Sequence, residues 1–177
     1  MEELFDILNK DGIETGKVAT ADEVHKKGYY HRVIKVVLLT KDNKVLIQQR
    51  SKNKACFPLL WDIAVTGHIR AGESVQTAVL REVKEETNLD LVKSDLTFLV
   101  AYKKEVENPK RKENMYVNCF LARTEISLDK VNKQEEELND IKLVDLNELK
   151  KMSDGVFIAI EERNMILEYV RRELNGN

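Results

Sequence analysis

Hydrophobic positions along this chain change period several times, and each change predicts an element. Leu4-Phe5-Asp6-Ile7-Leu8 and Ile13-Glu14-Thr15 flank Asn9-Lys10-Asp11-Gly12. Asp-Gly is a strong turn signal, so Phe5 to Ala19 reads as a hairpin. Ala21 to Lys27 fits a short helix capped by Thr20 and ended by Gly28. Arg32 to Leu39, rich in Val and Ile, reads as a strand that turns at Lys41-Asp42-Asn43 and returns through Lys44 to Gln49. Trp61 to Ile69 is one further β-branched run. Leu96 to Tyr102 and Met115 to Ala122 predict two strands joined by a charged connection, Lys103 to Arg111, and Ile141 to Val144 a short one. The period lengthens over Ser74 to Asn88, Leu146 to Met152 and Val156 to Leu174, which predict helices. Strands and helices mix without strict alternation, which favours an α+β architecture with a mixed sheet over a doubly wound one.

With neither an internal repeat nor a Pro/Ser-rich linker, residues 1–177 read as one domain, with an N-terminal hairpin extension over about residues 4–31. Lys+Arg number 29 against 31 Asp+Glu, a net charge of -2, which excludes a polyanion binder such as a nucleic-acid protein. Only 7 Gly and 2 Pro exclude collagen-like and low-complexity classes. No apolar run reaches the ~20 residues of a membrane span, and the acidic start lacks a signal peptide's basic segment and apolar run. The expected location is the cytoplasm. Cys56 and Cys119 lie in apolar stretches without metal-binding spacing and read as buried thiols.

Chemistry concentrates on the helix after Ser74. Val75, Ala78 and Val79 share a face, and the same i+3/i+4 steps carry that stripe to Glu82, Glu85 and Glu86. Solvated charges belong opposite an apolar stripe rather than in line with it, and like charges at these spacings repel. Carboxylates grouped there call for a hard cation such as Mg²⁺ or Mn²⁺. Gly67 ends the preceding strand, where a glycine lets its backbone carbonyl approach a ligand closely. Glu73 and Arg81 are placed to pair across the loop–helix junction.

Gly67, Glu73, Arg81-Glu82-Val83-Lys84-Glu85-Glu86 and Leu89 together resemble the Nudix box, here residues 67–89. The final Gly of that motif is Asn88, the next-best residue for closing a helix at positive φ. The resemblance, to the MutT-like Nudix hydrolase superfamily, implies a mixed β-sheet sandwiched between α-helices (an α/β/α sandwich). It also implies hydrolysis of a small-molecule diphosphate substrate. Carried onto this chain, Glu82, Glu85, Glu86 and the Gly67 carbonyl hold Mg²⁺ or Mn²⁺, and Arg81 orients a glutamate. The general base is Glu82 or an acid of Gln134-Glu135-Glu136-Glu137, with Glu136 its representative.

Beyond the box, Asp6 to Gly16, His25, His31-Arg32, Gln49-Arg50-Ser51, Lys54, Trp61-Asp62 and Gly67-His68 resemble the branch related to isopentenyl-diphosphate isomerase. That isomerase binds a metal partly through histidines, so His25, His31 and His68 are candidates for a second metal. They are equally read as hydrogen-bonding or phosphate-contacting residues. The isomerase reaction needs a Cys and a Glu that exchange protons, and the matching positions are Thr66 and near Met115, which favours a hydrolase. A silent nucleotide-binding module is the third reading. Arg50, Lys52, Lys54 and Arg70 are placed to meet phosphate. Tyr30 and Trp61 read as base-stacking or packing residues. The amphipathic last helix packs on its own core or on a second copy, which leaves a homodimer open.

Overall fold

The structure is a computed structural model and describes all residues except 1, 55–56, 64, 109–110, 130, 132–137, 154 and 177. Cys56 and Glu136 therefore lie outside the described residues. The elements run β1 (Leu4–Leu8), β2 (Glu14–Thr20), α1 (Ala21–Lys27), β3 (Tyr30–Leu39), β4 (Lys44–Arg50), β5 (Trp61–Ile63), β6 (Val65–His68) and α2 (Val75–Thr87). They continue with β7 (Leu96–Asn108), β8 (Arg111–Arg123), β9 (Leu138–Asp145), α3 (Leu146–Lys151) and α4 (Ile160–Leu174).

β3 organises the sheet. It pairs antiparallel with β6, setting Val33 against His68 and Ile34 against Gly67, and parallel with β8, setting His31 against Met115. β7 pairs antiparallel with β8, while β4 pairs with β5 and β9. The sheet is therefore mixed. Every residue from Val33 to Leu39 is buried, Lys35 included. A strand buried on both faces needs a layer on each side of it. α2 packs on β6 and β3, and α4 packs on β7. The expected α+β fold of a mixed sheet layered with helices is what the chain adopts. The main core joins Ile34, Leu38, Leu46 and Ile63 to Val79, Val83, Ile166 and Leu167 from the helices.

The N-terminal hairpin turns as its Asp-Gly predicts. The Asn9 N–H donates to the Ile13 carbonyl at 2.8 Å, and Gly12 sits at φ +83°. A side chain there would also strike the Tyr116 ring, 2.9 Å from a Cβ. Phe5, Ile7, Ala19 and Val24 form a small second core beneath the hairpin.

Three segments differ from the pattern. The charged stretch from Lys103 onward is no connection; it continues β7 and β8 as a ladder down to Asn108 opposite Arg111. Charges alternate across the two faces of this ribbon, which polarity alone reads as a loop. The run from Trp61 splits into β5, paired to β4, and β6, paired to β3. The last helix begins at Ile160 rather than Val156, because Val156 and Ile158 exchange backbone hydrogen bonds with Trp61. Trp61 is buried with the Lys142 ammonium 4.1 Å from its ring, so it packs. Cys119 is fully buried, and burial pushes its thiol up to about 12. Among the described residues, no helix is long and apolar enough to cross a membrane.

Candidate functional site

Helix α2 starts and stops as its sequence dictates. The Ser74 hydroxyl accepts from the Thr77 N–H at 3.2 Å, and Asn88 closes the last turn at φ +59°. The buried line along it runs Ala78, Val79, Val83 and Thr87. Glu82 and Glu86 stand half-buried at the edge of this line and Glu85 outside it, so the acidic positions border the apolar stripe rather than continue it.

Gly67 faces this edge at the end of β6. A Cβ on Gly67 would lie 2.1 Å from the Glu82 carboxyl carbon and 2.4 Å from its Oε1. Only glycine lets the carboxylate rest against the β6 backbone. Burial raises the Glu82 carboxyl's pKa, with Arg81 opposing it through a hydrogen bond and its charge.

Arg81 is the hub. Its Nε and Nη2 donate to the two Glu73 oxygens at 2.9 and 2.8 Å, and its Nη1 donates to Glu82 at 2.7 Å and Glu85 at 3.2 Å. Nη2 also donates to the His68 carbonyl at 2.9 Å. Such a planar fork fixes geometry in a way a lysine does not. Burial works against the Glu73 carboxylate, but Arg81 and the Arg70 N–H outweigh it and lower its pKa. Gln48 donates to Glu86 at 3.2 Å.

The loop before α2 is held from the N-terminal hairpin. The Ala71 N–H donates to the Leu4 carbonyl at 2.7 Å and the Gly72 N–H to Asp6 at 3.0 Å, and Arg70 pairs with Glu3 at 2.7 Å. Arg70 also lies 3.8 Å from Glu85, so it bridges the hairpin to the α2 edge and does not line the cleft.

The three histidines converge from α1, β3 and β6, and Glu113 of β8 joins them. One ligand atom from each of His25, His31, His68 and Glu113 lies within 4.8 Å of the others. The His25 Nδ1 is 3.4 Å from a Glu113 oxygen, and Phe5 stacks on His68 with ring centres 4.6 Å apart. Three imidazoles and a carboxylate form a donor set suited to a borderline divalent ion such as Zn²⁺ or Mn²⁺. Sequence reasoning missed Glu113, whose signal was a period-2 step, two residues before the strand's expected start at Met115.

Between these two groups opens a cleft of about 410 Å³ lined by Arg50, Lys54, Lys104, Asp62, Gly67 and His68, and also by Thr66 and Met115. Beneath it, Lys35 pairs with Asp62 at 3.0 Å and Glu162 at 3.3 Å, Lys104 pairs with Glu162 at 2.6 Å, and the Tyr102 hydroxyl donates to Glu162. Burial works to raise the Glu162 carboxyl, but the two lysines hold it at about 2. Tyr30 is away from this cleft, donating to Glu105 with Lys103 over its ring. The α2 carboxylates do not line this cleft; the two features meet at Gly67, which lines the cleft and has the Glu82 carboxylate against it. That junction suits a phosphate anion bridged to a divalent metal.

A family model described as NUDIX domain matches residues 29–160. The chain belongs to the Nudix family, hydrolases of pyrophosphate-containing substrates. It is 31% identical over 180 residues to Nudix hydrolase 3 of Arabidopsis thaliana, covering 99% of this chain but 22% of that much longer relative. An uncharacterised Nudix hydrolase of Listeria monocytogenes is 31% identical over 159 residues, 89% of each chain. A partial match to the isopentenyl-diphosphate delta-isomerase of Nocardia farcinica, 35% identical over 81 residues, covers 46% of each chain and agrees with the branch read from the sequence. Among solved structures, DR0079 from Deinococcus radiodurans superposes with a TM-score of 0.68 at 18% identity, covering 96% of this chain and 98% of that one.

Proposed function

We propose that this protein hydrolyses the pyrophosphate bond of a diphosphate linked to another moiety, using Mg²⁺ or Mn²⁺ at the α2 edge. The observation that carries the reading is the fit of Glu82 against Gly67, with Arg81 fixing Glu82 and Glu85 and with Gln48 donating to Glu86 one turn on from Glu82. These oxygen donors suit a hard cation, with the Gly67 carbonyl as a further ligand. The metal, when bound, supplies charge neutralisation at phosphate oxygens and acidifies water. Arg81 holds Glu82 and Glu85 in register, and Glu73 holds Arg81. Glu82, whose carboxylate lies against the Gly67 backbone at the end of β6, is the proposed acceptor of the attacking water's proton. Arg50, Lys54 and Lys104 bind the diphosphate oxygens, and charge-assisted contacts there offset the anion's desolvation.

Isomerase chemistry is disfavoured by the cleft itself. Thr66 and Met115 line it where that reaction needs a thiol and a carboxylate, and neither side chain exchanges protons at neutral pH. The His25, His31, His68 and Glu113 group is proposed to hold a second divalent cation that props the cleft wall, read out as metal content lost in His31→Ala. The test of the hydrolase reading is product release with Mg²⁺ or Mn²⁺, compared between wild type and Glu86→Gln across organic diphosphates. Loss in the variant supports the reading. Equal release by both proteins would sink it.

A further inference from the structure

The connection between β4 and β5 carries features that neither the fold nor the metal helix uses. Its base is tied down. The Arg50 N–H donates to the Leu60 carbonyl at 3.0 Å, the Leu59 N–H to the Arg50 carbonyl at 3.2 Å, and the Gln49 amide to the Leu59 carbonyl at 2.9 Å. Ser51 is buried beside them. Its crest does the opposite. Phe57 leaves 42% of its surface in solvent, and its backbone sits at φ +53°, a region phenylalanine enters only at a cost. The ring joins neither hydrophobic core. Folding gives no return for holding a large aromatic in this way.

Phe57 does line the 410 Å³ cleft, together with Arg50 at the end of β4 and Lys54 from the connection itself. Val106, Met115 and Ile158 add aliphatic surface to the lining. The cations answer the diphosphate. A ring and aliphatic groups answer something else, and an anion alone has no use for them.

We propose that Phe57 is a specificity-determining residue that packs on the organic group esterified to the diphosphate. On this view the protein favours diphosphate esters bearing an aromatic or aliphatic group over bare polyphosphate. The proposal rests on the hydrolase reading above. The complex covers the exposed ring, and the anchored base of the connection keeps Phe57 aimed while Arg50 and Lys54 meet the phosphates.

The experiment compares wild type, Phe57→Ala and Phe57→Trp on ADP-ribose and on dimethylallyl diphosphate, with inorganic tripolyphosphate as a competing anion. For whichever ester wild type hydrolyses, Phe57→Ala raises KM by about tenfold with kcat within about twofold, as the loss of one ring contact dictates. Phe57→Trp returns KM towards the wild-type value, and the inhibition constant of tripolyphosphate stays unchanged throughout. Turnover of ADP-ribose assigns the ring contact to a nucleoside, and turnover of dimethylallyl diphosphate assigns it to an aliphatic chain. An unchanged KM in Phe57→Ala overturns the proposal. So does an equal rise in the inhibition constant of tripolyphosphate, because Phe57 then only props Arg50 and Lys54. Hydrolysis of neither ester, with tripolyphosphate cleaved, overturns it too. Failure of the hydrolase reading is seen separately, as equal release by wild type and Glu86→Gln.

Discussion

Gly67→Ala isolates the contact on which the proposed metal edge depends. The new Cβ would stand 2.1 Å from the Glu82 carboxyl carbon, whereas ordinary contact begins at 3.4 Å, so the carboxylate must retreat by more than 1 Å. That retreat also pulls Oε1 from Arg81 Nη1, now 2.7 Å away. Misplacing a reacting group by such a distance costs on the order of 100-fold in rate. Stability pays less. Gly67 does not occupy the left-handed region, so alanine meets no backbone penalty, and crowding costs about 1–3 kcal/mol against a return of about 0.5 kcal/mol from a stiffer unfolded chain. For a chain of this size that is a fall of several degrees in Tm, about 2–4 °C per kcal/mol. The expected result is kcat/KM lower by about 100-fold in a protein that still folds, with Mn²⁺ binding followed by electron paramagnetic resonance weakened in parallel. Activity within twofold of wild type would refute the placement of Glu82 at the reaction centre.

Other predictions test the surrounding scaffold. Arg81→Lys loses the fork to Glu73, Glu82 and Glu85, so kcat should fall by at least about tenfold while circular dichroism stays native. Glu162, held at about 2 by Lys35 and Lys104 against burial, stabilises the fold fully above its ordinary value of 4.5, and that contribution is lost as pH falls towards 2. The shift corresponds to about 3 kcal/mol, and urea midpoints measured across that window should lose their steep acid limb in Glu162→Gln. Leu59, exposed at φ +61°, is a site where glycine relieves backbone strain; Leu59→Gly should raise unfolding free energy by about 0.5–1 kcal/mol in denaturant melts.

Much of the candidate site was legible because its residues cluster in sequence. Gly67, Glu73 and Arg81 to Glu86 lie within one strand–loop–helix unit, where i+3/i+4 spacing maps directly onto a face. The caps at Ser74 and Asn88 and the Asp-Gly hairpin were local signals as well. What escaped needed long-range pairing. Glu113 reaches the histidines only because β8 lies parallel to β3, and the charged first residues of that strand, before Met115, were not read as part of it. Lys35 drew no reading from the sequence, since its partners Asp62 and Glu162 come from β5 and α4. The stripe on α2 was displaced slightly, because Val83 and Thr87 continue it and the glutamates border it.

The hairpin's grip on the loop before α2 also sets an order of assembly. Leu4, Phe5 and Asp6 are made more than sixty residues before the groups they hold, the Ala71 and Gly72 N–H and the His68 ring. β3 waits longer still for β8, its parallel neighbour. Pairings of such separation close slowly, because chain entropy is lost before contact rewards it. The hairpin therefore closes on its own small core of Phe5, Ile7, Ala19 and Val24 well before the loop it holds exists, and the cleft takes shape only after β8 has arrived.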